Sequence, residues 1–196
     1  MKNLFYLLKN NIKTVTELFT NMNYDNYNKI ITGLYLGNYT PAYDKKFILE
    51  KKIDLVINCS NDIEFPNFYK KSIILERPNF KYIRIALDDS FNETDQIIMA
   101  NNLEKICPII HKYLKNKQNI YIHCYAGMQR SATIVLCYLI YKDYIENNKI
   151  LSLKKYYKFL KRKRIVVFNP DPTFIKVIKK YYKIIILQKK INDLII

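Results

Sequence analysis

"NIYIHCYAGMQRSATIVLCYLI", residues 119–140, decides how the chain is read. Residues 119–124 form an apolar run of strand length, and a helical pattern begins at Arg130. Between His123 and Arg130 lies a turn of six residues, Cys124, Tyr125, Ala126, Gly127, Met128 and Gln129, holding one of only three glycines in the chain. A strand that enters a helix through such a turn sets the turn beyond the strand's carboxyl end. In α/β folds that is where ligands bind.

The flanking sequence has the same character. "GLYLG" (33–37), "IDLVINC" (53–59) and "KYIRIAL" (81–87) read as further strands, and Pro41 stands near the start of a helix reaching about Lys51. Residues 93–116 are helical in pattern, with Pro108 expected to kink or divide them. Three more helices are expected over about 130–146, 151–163 and 171–190. Strands alternating with helices imply an α/β fold, a central mixed or parallel sheet flanked by helices. Near the amino end, Leu4, Phe5, Leu8, Ile12, Val15 and Phe19 recur at helical spacing, so residues 3–20 read as an amphipathic helix. The polar stretch "TNMNYDNYNK" (20–29) follows as a connector. The expected division is therefore 1–27, helix and connector, and 28–196, the main domain.

Composition narrows the class further. The 196 residues are 49% hydrophobic and carry 33 basic against 17 acidic side chains, a net charge of +16. That length suffices for one domain with a proper core. The charge favours an anionic partner, whether phosphoprotein, nucleic acid or membrane surface, although an AT-rich genome also enriches Lys, Asn, Ile and Tyr. No run approaches the ~18 apolar residues of a membrane span. Four cysteines without a Cys-x-x-Cys pair point to free thiols in a reducing compartment, the cytoplasm, or a virion if the source is viral.

The turn itself suggests chemistry. Its backbone N–H groups can curl inward as an anion nest, capped by the amino end of the following helix. Gly127 is free to adopt backbone angles closed to other residues. Arg130 can offer a planar fork to two phosphate oxygens. The same positive field favours a thiolate at Cys124; such settings bring a thiol from about 8.5 to ~3.5–7.5. Attack on phosphorus by that sulfur would give a phosphocysteine. His123 stands behind the nucleophile to orient the loop, and Ser131 can donate a hydrogen bond that eases departure of the thiolate.

"IHCYAGMQRSATIVLCYLI" resembles the loop and helix of cysteine-dependent protein tyrosine phosphatases of the dual-specificity branch. "LYLGNYTPAYDKKFILEKKIDLVINCS" (34–60) resembles that family's opening strand, helix and strand, and "NPDPTF" (169–174) the segment before its last helix. The resemblance covers roughly residues 28–186. It implies a dual-specificity phosphatase fold with an extra N-terminal helix, phosphoprotein substrates and no cofactor. That helix resembles one in poxvirus virion phosphatases which exchanges between subunits, implying a homodimer; the AT-rich composition suits an insect poxvirus.

Expelling a serine, threonine or tyrosine oxygen needs a proton donor. "IALDDSFNETD" (85–95) offers four carboxyls. The family's acid directly precedes a small polar residue, which implies Asp89 before Ser90, with Asp88 the alternative; Glu93 and Asp95 read as a solvated turn. A chain of this size has no obvious room for the loop that deepens phosphotyrosine-only pockets, so a shallow site open to all three phosphoresidues is expected. Arg164, in the basic stretch "KKYYKFLKRKR" (154–164), resembles a family arginine that meets a second acidic group on the substrate. Cys59 lies where some members place a redox partner for the nucleophile. Cys107 and His111, four apart, lack a second pair for a metal site and read as packing, as does Cys137. Two other activities use the same loop: removal of phosphate from RNA 5′ ends, whose enzymes usually show Arg-Thr rather than Arg-Ser, and silent phosphate binding.

Overall fold

The computed structural model describes residues 25–195. The helix expected over residues 3–20 lies outside them. Five strands form one sheet: β1 (Tyr27–Ile31), β2 (Leu34–Gly37), β3 (Ile53–Asn58), β4 (Lys81–Arg84) and β5 (Asn119–His123), in the order β1-β2-β5-β3-β4. Only the β1–β2 pair is antiparallel, so the sheet is mixed and its parallel centre is formed by β2, β5, β3 and β4. Five helices of six or more residues accompany it among the described residues: α1 (Lys45–Glu50), α2 (Glu93–Lys115), α3 (Arg130–Asn147), α4 (Leu153–Lys163) and α5 (Ile175–Ile195), with a short helical segment over Tyr69–Ile73 and Ile74–Glu76 between β3 and β4.

The alternation of β5 explains its central position. Ile120 and Ile122 pack into a core with α2, α3 and α5, while Tyr121 points to the opposite face, among Ala42, Phe47, Ile48 and Tyr69. Both faces are thereby covered, as parallel strands require. Every residue of α3 from Arg130 to Ile140 is buried. Each of its large aliphatic side chains contributes ~1.5–3 kcal/mol by leaving water, which anchors the helix whose first turn faces the loop.

Several expected boundaries move. β1 begins within the stretch read as connector, because its edge position leaves four of its five side chains partly or fully exposed and the alternation is weak. The strand expected to run to Leu87 ends at Arg84, although the Ile85 N–H still reaches Asn58 O at 2.8 Å. α2 runs through Pro108 undivided. Pro108 and Glu104 both face solvent, so water can satisfy the carbonyl that the proline leaves without a donor. α1 is preceded by a 3₁₀ turn over Thr40–Tyr43, and the Asp44 side chain caps it by accepting from Lys46 N–H at 2.9 Å. The last helix begins at Ile175 rather than near 171, since Pro170 and Pro172 disfavour helical backbone just before them. No described helix is long and apolar enough to cross a membrane.

Candidate active site: a phosphate cradle between β5 and α3

The loop after His123 is fixed by a backbone contact that only glycine permits. Gly127 has φ +68°, and a side chain there would collide with the backbone of Gly37 at the end of β2. The Phe168 N–H donates to Met128 O at 2.9 Å, and the Tyr39 N–H to Tyr125 O at 3.2 Å. Held this way, the turn closes over Cys124, which is 1% exposed. Its Sγ accepts from the Gly127 N–H and from the Ser131 hydroxyl, each at 3.2 Å.

Arg130 opens α3, whose amino end carries no side-chain cap. Its Nη1 donates to Leu87 O at 2.9 Å, which draws the guanidinium towards the segment after β4. Two carboxylates flank it: Asp62 Oδ1 lies 3.8 Å from Nη1 and Asp89 Oδ2 lies 4.0 Å from Nε. Its Nε is buried without a hydrogen-bond acceptor among the described residues. A donor left in that condition is costly unless something accepts from it, and a bound oxyanion would.

Asp89 is held beside that arginine by a network that Asp95 organises. Asp95 Oδ1 accepts from the Asp88 N–H at 3.1 Å and Oδ2 from the Ser90 hydroxyl at 2.5 Å, while its own N–H is capped by Asn92 at 2.8 Å. Asp95 is therefore buried, not part of a solvated turn; Glu93 does remain exposed. Desolvation pushes the Asp89 carboxyl above its usual range, and the negative charge of Asp95 adds to this. A hydrogen bond with Thr173 and the Arg130 charge oppose the rise. Asp88 is exposed, and its carboxyl enters neither ion pair.

His123 is buried behind Cys124, stacked on Tyr121 at 5.7 Å, with Nδ1 3.4 Å from Cys124 O. Burial lowers its pKa to about 4, which outweighs the opposing bond with the Cys124 backbone. A neutral imidazole results. Cys59 lies fully buried at the end of β3, where its N–H donates to His123 O at 2.8 Å; burial, with the nearby Cys124, pushes its thiol pKa well up.

One residue expected to face substrate is turned elsewhere. Arg164 is 2% exposed. Its Nε donates to Gly127 O at 2.9 Å, Nη2 to Ala126 O at 3.1 Å, and Nη1 to Asp25 O and Asn28 Oδ1 at 2.8 Å each. It braces the cradle from within and presents no charge to a second acidic group. Gln129 turns away as well: its Nε2 donates to Asp171 O at 2.9 Å and Asn169 O at 3.3 Å, and its Oε1 accepts from Thr173 N–H at 3.1 Å. It ties the cradle to the 169–173 segment, which also meets the loop carrying Asp89 and Ser90 through Gln96. Tyr125 does face outward, its ring 5.3 Å from Tyr39, which is 5.9 Å from Tyr43. Ala126 and Met128 are half-buried.

Sequence reasoning missed Asp62, Thr173 and the bracing roles of Asp95 and Gln129. The short polar caps around Asp95, with Asn92 three residues before it, were the only local signal. Among the described residues no group of three or more His, Cys, Asp or Glu is placed to hold a metal ion. Cys107 is buried near Tyr181, and His111 lies 3.9 Å from Glu146.

Residues 34–184 match the dual specificity phosphatase catalytic domain. The chain belongs to that family. It is 30% identical over 158 residues to protein 123R of Invertebrate iridescent virus 6, named as a tyrosine phosphatase, covering 78% of this chain and 89% of that one. It is 31% identical over 137 residues to AMV078 of Amsacta moorei entomopoxvirus, named likewise, covering 68% and 78%. Some relatives are far longer: the matched region spans 20% of the human dual specificity protein phosphatase 16. Among solved structures, human DUSP28 superposes with a TM-score of 0.63 over 81% of this phosphatase and 94% of its own chain, at 21% identity. That likeness speaks to the fold.

Proposed function

We propose that this phosphatase hydrolyses phosphate monoesters on phosphotyrosine and on phosphoserine or phosphothreonine proteins, through a phosphocysteine. One observation carries the reading: a buried Cys124 sulfur accepts two hydrogen bonds at the amino end of the helix that Arg130 opens, and the carboxyl of Asp89, its pKa raised by desolvation, stands 4.0 Å from that guanidinium. In the first step Cys124 Sγ forms a bond to phosphorus and the ester P–O bond breaks. Asp89, as the acid, gives its proton to the departing oxygen. Arg130, with its Nε free to donate, and the backbone N–H groups of the loop hold the phosphoryl oxygens as charge builds on them. In the second step water attacks phosphorus, Asp89 as carboxylate takes the water's proton, and the P–S bond breaks. The Ser131 hydroxyl stabilises the leaving thiolate.

Tyr125 and Tyr39 offer ring surface beside the cradle, which suits a phosphotyrosine ring, and the exposure of Tyr125 suits a shallow entrance that shorter phosphoresidues can also use. Four free thiols suit a reducing compartment such as the cytoplasm. Self-association through residues 3–20 belongs to the same reading. Sedimentation of the full chain tests it, with a dimer expected and a monomer for Leu8→Asp.

The deciding experiment measures phosphate release by wild type and Cys124→Ser from a phosphotyrosine peptide, a phosphothreonine peptide and a 5′-triphosphate RNA, without added metal and with reductant. Turnover of both peptides by wild type alone is expected. Turnover of RNA alone would transfer the function to nucleic acid, and unchanged turnover by Cys124→Ser would remove the mechanism.

A further inference from the structure

Away from the cradle, β1, α3 and α4 enclose a groove of about 1160 Å³. That exceeds the ~300–1,000 Å³ typical of small-ligand pockets, so its size suits an extended occupant. Ile31, Leu139, Leu151, Tyr157 and Phe159 line its floor, and Ile165, 75% exposed, stands at one end. Lys154, Lys155, Lys158, Lys161 and Arg162 line it too, all exposed, and none of them forms an ion pair with another described residue. The one carboxylate of the lining, Asp143, already accepts from the Tyr156 hydroxyl at 2.9 Å.

We propose that this groove docks an acidic amphipathic segment of a partner protein, its apolar face on the floor and its carboxylates along the lysine rim. Helix-in-groove recognition places side chains three and four residues apart into such a floor. Lys154, Lys158 and Lys161 share one face of α4 at that same spacing, ready to meet acidic residues along the partner. Apolar contact supplies affinity, and the unpaired cations supply selection and a faster encounter.

Other occupants fit less well. A bilayer surface would touch the rim and leave the recessed floor uncovered. RNA would meet the cations, but the Tyr157 ring is already packed on Phe168 at 5.0 Å, which limits the faces on which bases stack. The chain's own residues 1–24 carry Lys2, Lys9 and Lys13 against one acid, Glu17, and so repeat the sign of the rim. The groove also neighbours the support of the loop over Cys124, because Arg164 lies in sequence between the lining residues Arg162 and Ile165 and bonds Gly127 O and Ala126 O.

Fluorescence anisotropy on the full chain tests the proposal without reference to turnover. The probe is a labelled synthetic helix of about four turns, leucine and phenylalanine on one face and glutamate on the other. Wild type should bind it with micromolar affinity that falls with added salt. The triple variant Lys154→Glu, Lys158→Glu, Lys161→Glu should bind at least about tenfold more weakly, with an unchanged thermal midpoint. Equal binding by that variant, or equal binding of a probe whose glutamates are replaced by lysine, would overturn the proposal. Binding to phosphatidylserine vesicles but not to the probe would assign the surface to lipid instead. A gain of about tenfold or more in the full chain carrying Leu8→Asp and Ile12→Asp would show that its own amino-terminal segment fills the groove.

Discussion

Arg164 Nε donates a hydrogen bond to Gly127 O at 2.9 Å, which joins the residue that follows α4 to the glycine in the middle of the loop between β5 and α3. The same guanidinium satisfies Ala126 O, Asp25 O and Asn28 Oδ1. With these carbonyls held outward, the loop's N–H groups are left to face an anion. Arg164→Met should leave several buried acceptors unpaired and cost about 3 kcal/mol, a fall in Tm of roughly 9 °C. Arg164→Lys should fail to rescue it, because one ammonium cannot span the carbonyls that a planar fork reaches. Thermal melts with and without inorganic phosphate check this; the variant should also gain less stabilisation from phosphate than wild type.

Asp89 should act as acid over a wider pH range than an ordinary carboxyl. Its pKa lies above the usual 3.8, so the protonated donor persists to higher pH, and the rate for poor leaving groups should fall as pH rises through that raised value. Asp89→Asn should remove that limb of the profile. It should slow alkyl phosphates by ~10²–10⁴ and slow p-nitrophenyl phosphate much less. Equal slowing of both would assign the acid elsewhere.

The Ser131 hydroxyl, 3.2 Å from Cys124 Sγ, should matter most when sulfur leaves. Ser131→Ala removes a hydrogen bond to a charged group, about 1.5–3 kcal/mol, or roughly 10–100-fold in the second step. Rapid-quench kinetics should then show a burst of released phenol followed by slow turnover, as phosphocysteine accumulates.

His123 links stability to pH. Its folded pKa of about 4 lies below the ordinary 6.5, so the unfolded chain binds the proton more readily between those values. Its contribution is complete above pH 6.5 and is lost as pH falls towards 4, a change of about 2 kcal/mol between pH 7 and 4.5. Urea midpoints at the two pH values should therefore diverge less in His123→Gln than in wild type.

Cys59 gives a redox test. Peroxide converts Cys124 to a sulfenic acid; the Cys59 thiol then attacks that sulfur, releasing water and forming a disulfide. Wild type should regain activity with dithiothreitol after prolonged peroxide treatment, while Cys59→Ala, whose sulfenic acid goes on to the irreversible sulfinic acid, should not. The raised Cys59 pKa should make disulfide formation faster at alkaline pH.

Residues 119–140 by themselves determined the strand, the turn and the helix, and with them the placement of Cys124, Arg130 and Ser131. That was possible because an anion nest is built from consecutive backbone N–H groups, so its chemistry must be contiguous in sequence. The α/β layering was equally legible, since buried strands and an amphipathic helix write their periods locally. Tertiary structure alone decided the rest. Parallel pairing of β5 with β2 and β3 brings Gly37 against Gly127 and the segments after β3 and β4 to Arg130. Asp62, Asp95, Thr173 and Arg164 reach the site from four separate segments, and nothing local distinguishes a buried Asp95 or Arg164 from a solvated one. Burial and partners are properties of the assembled sheet and helices, and they turn a surface-type arginine into the brace of a catalytic loop.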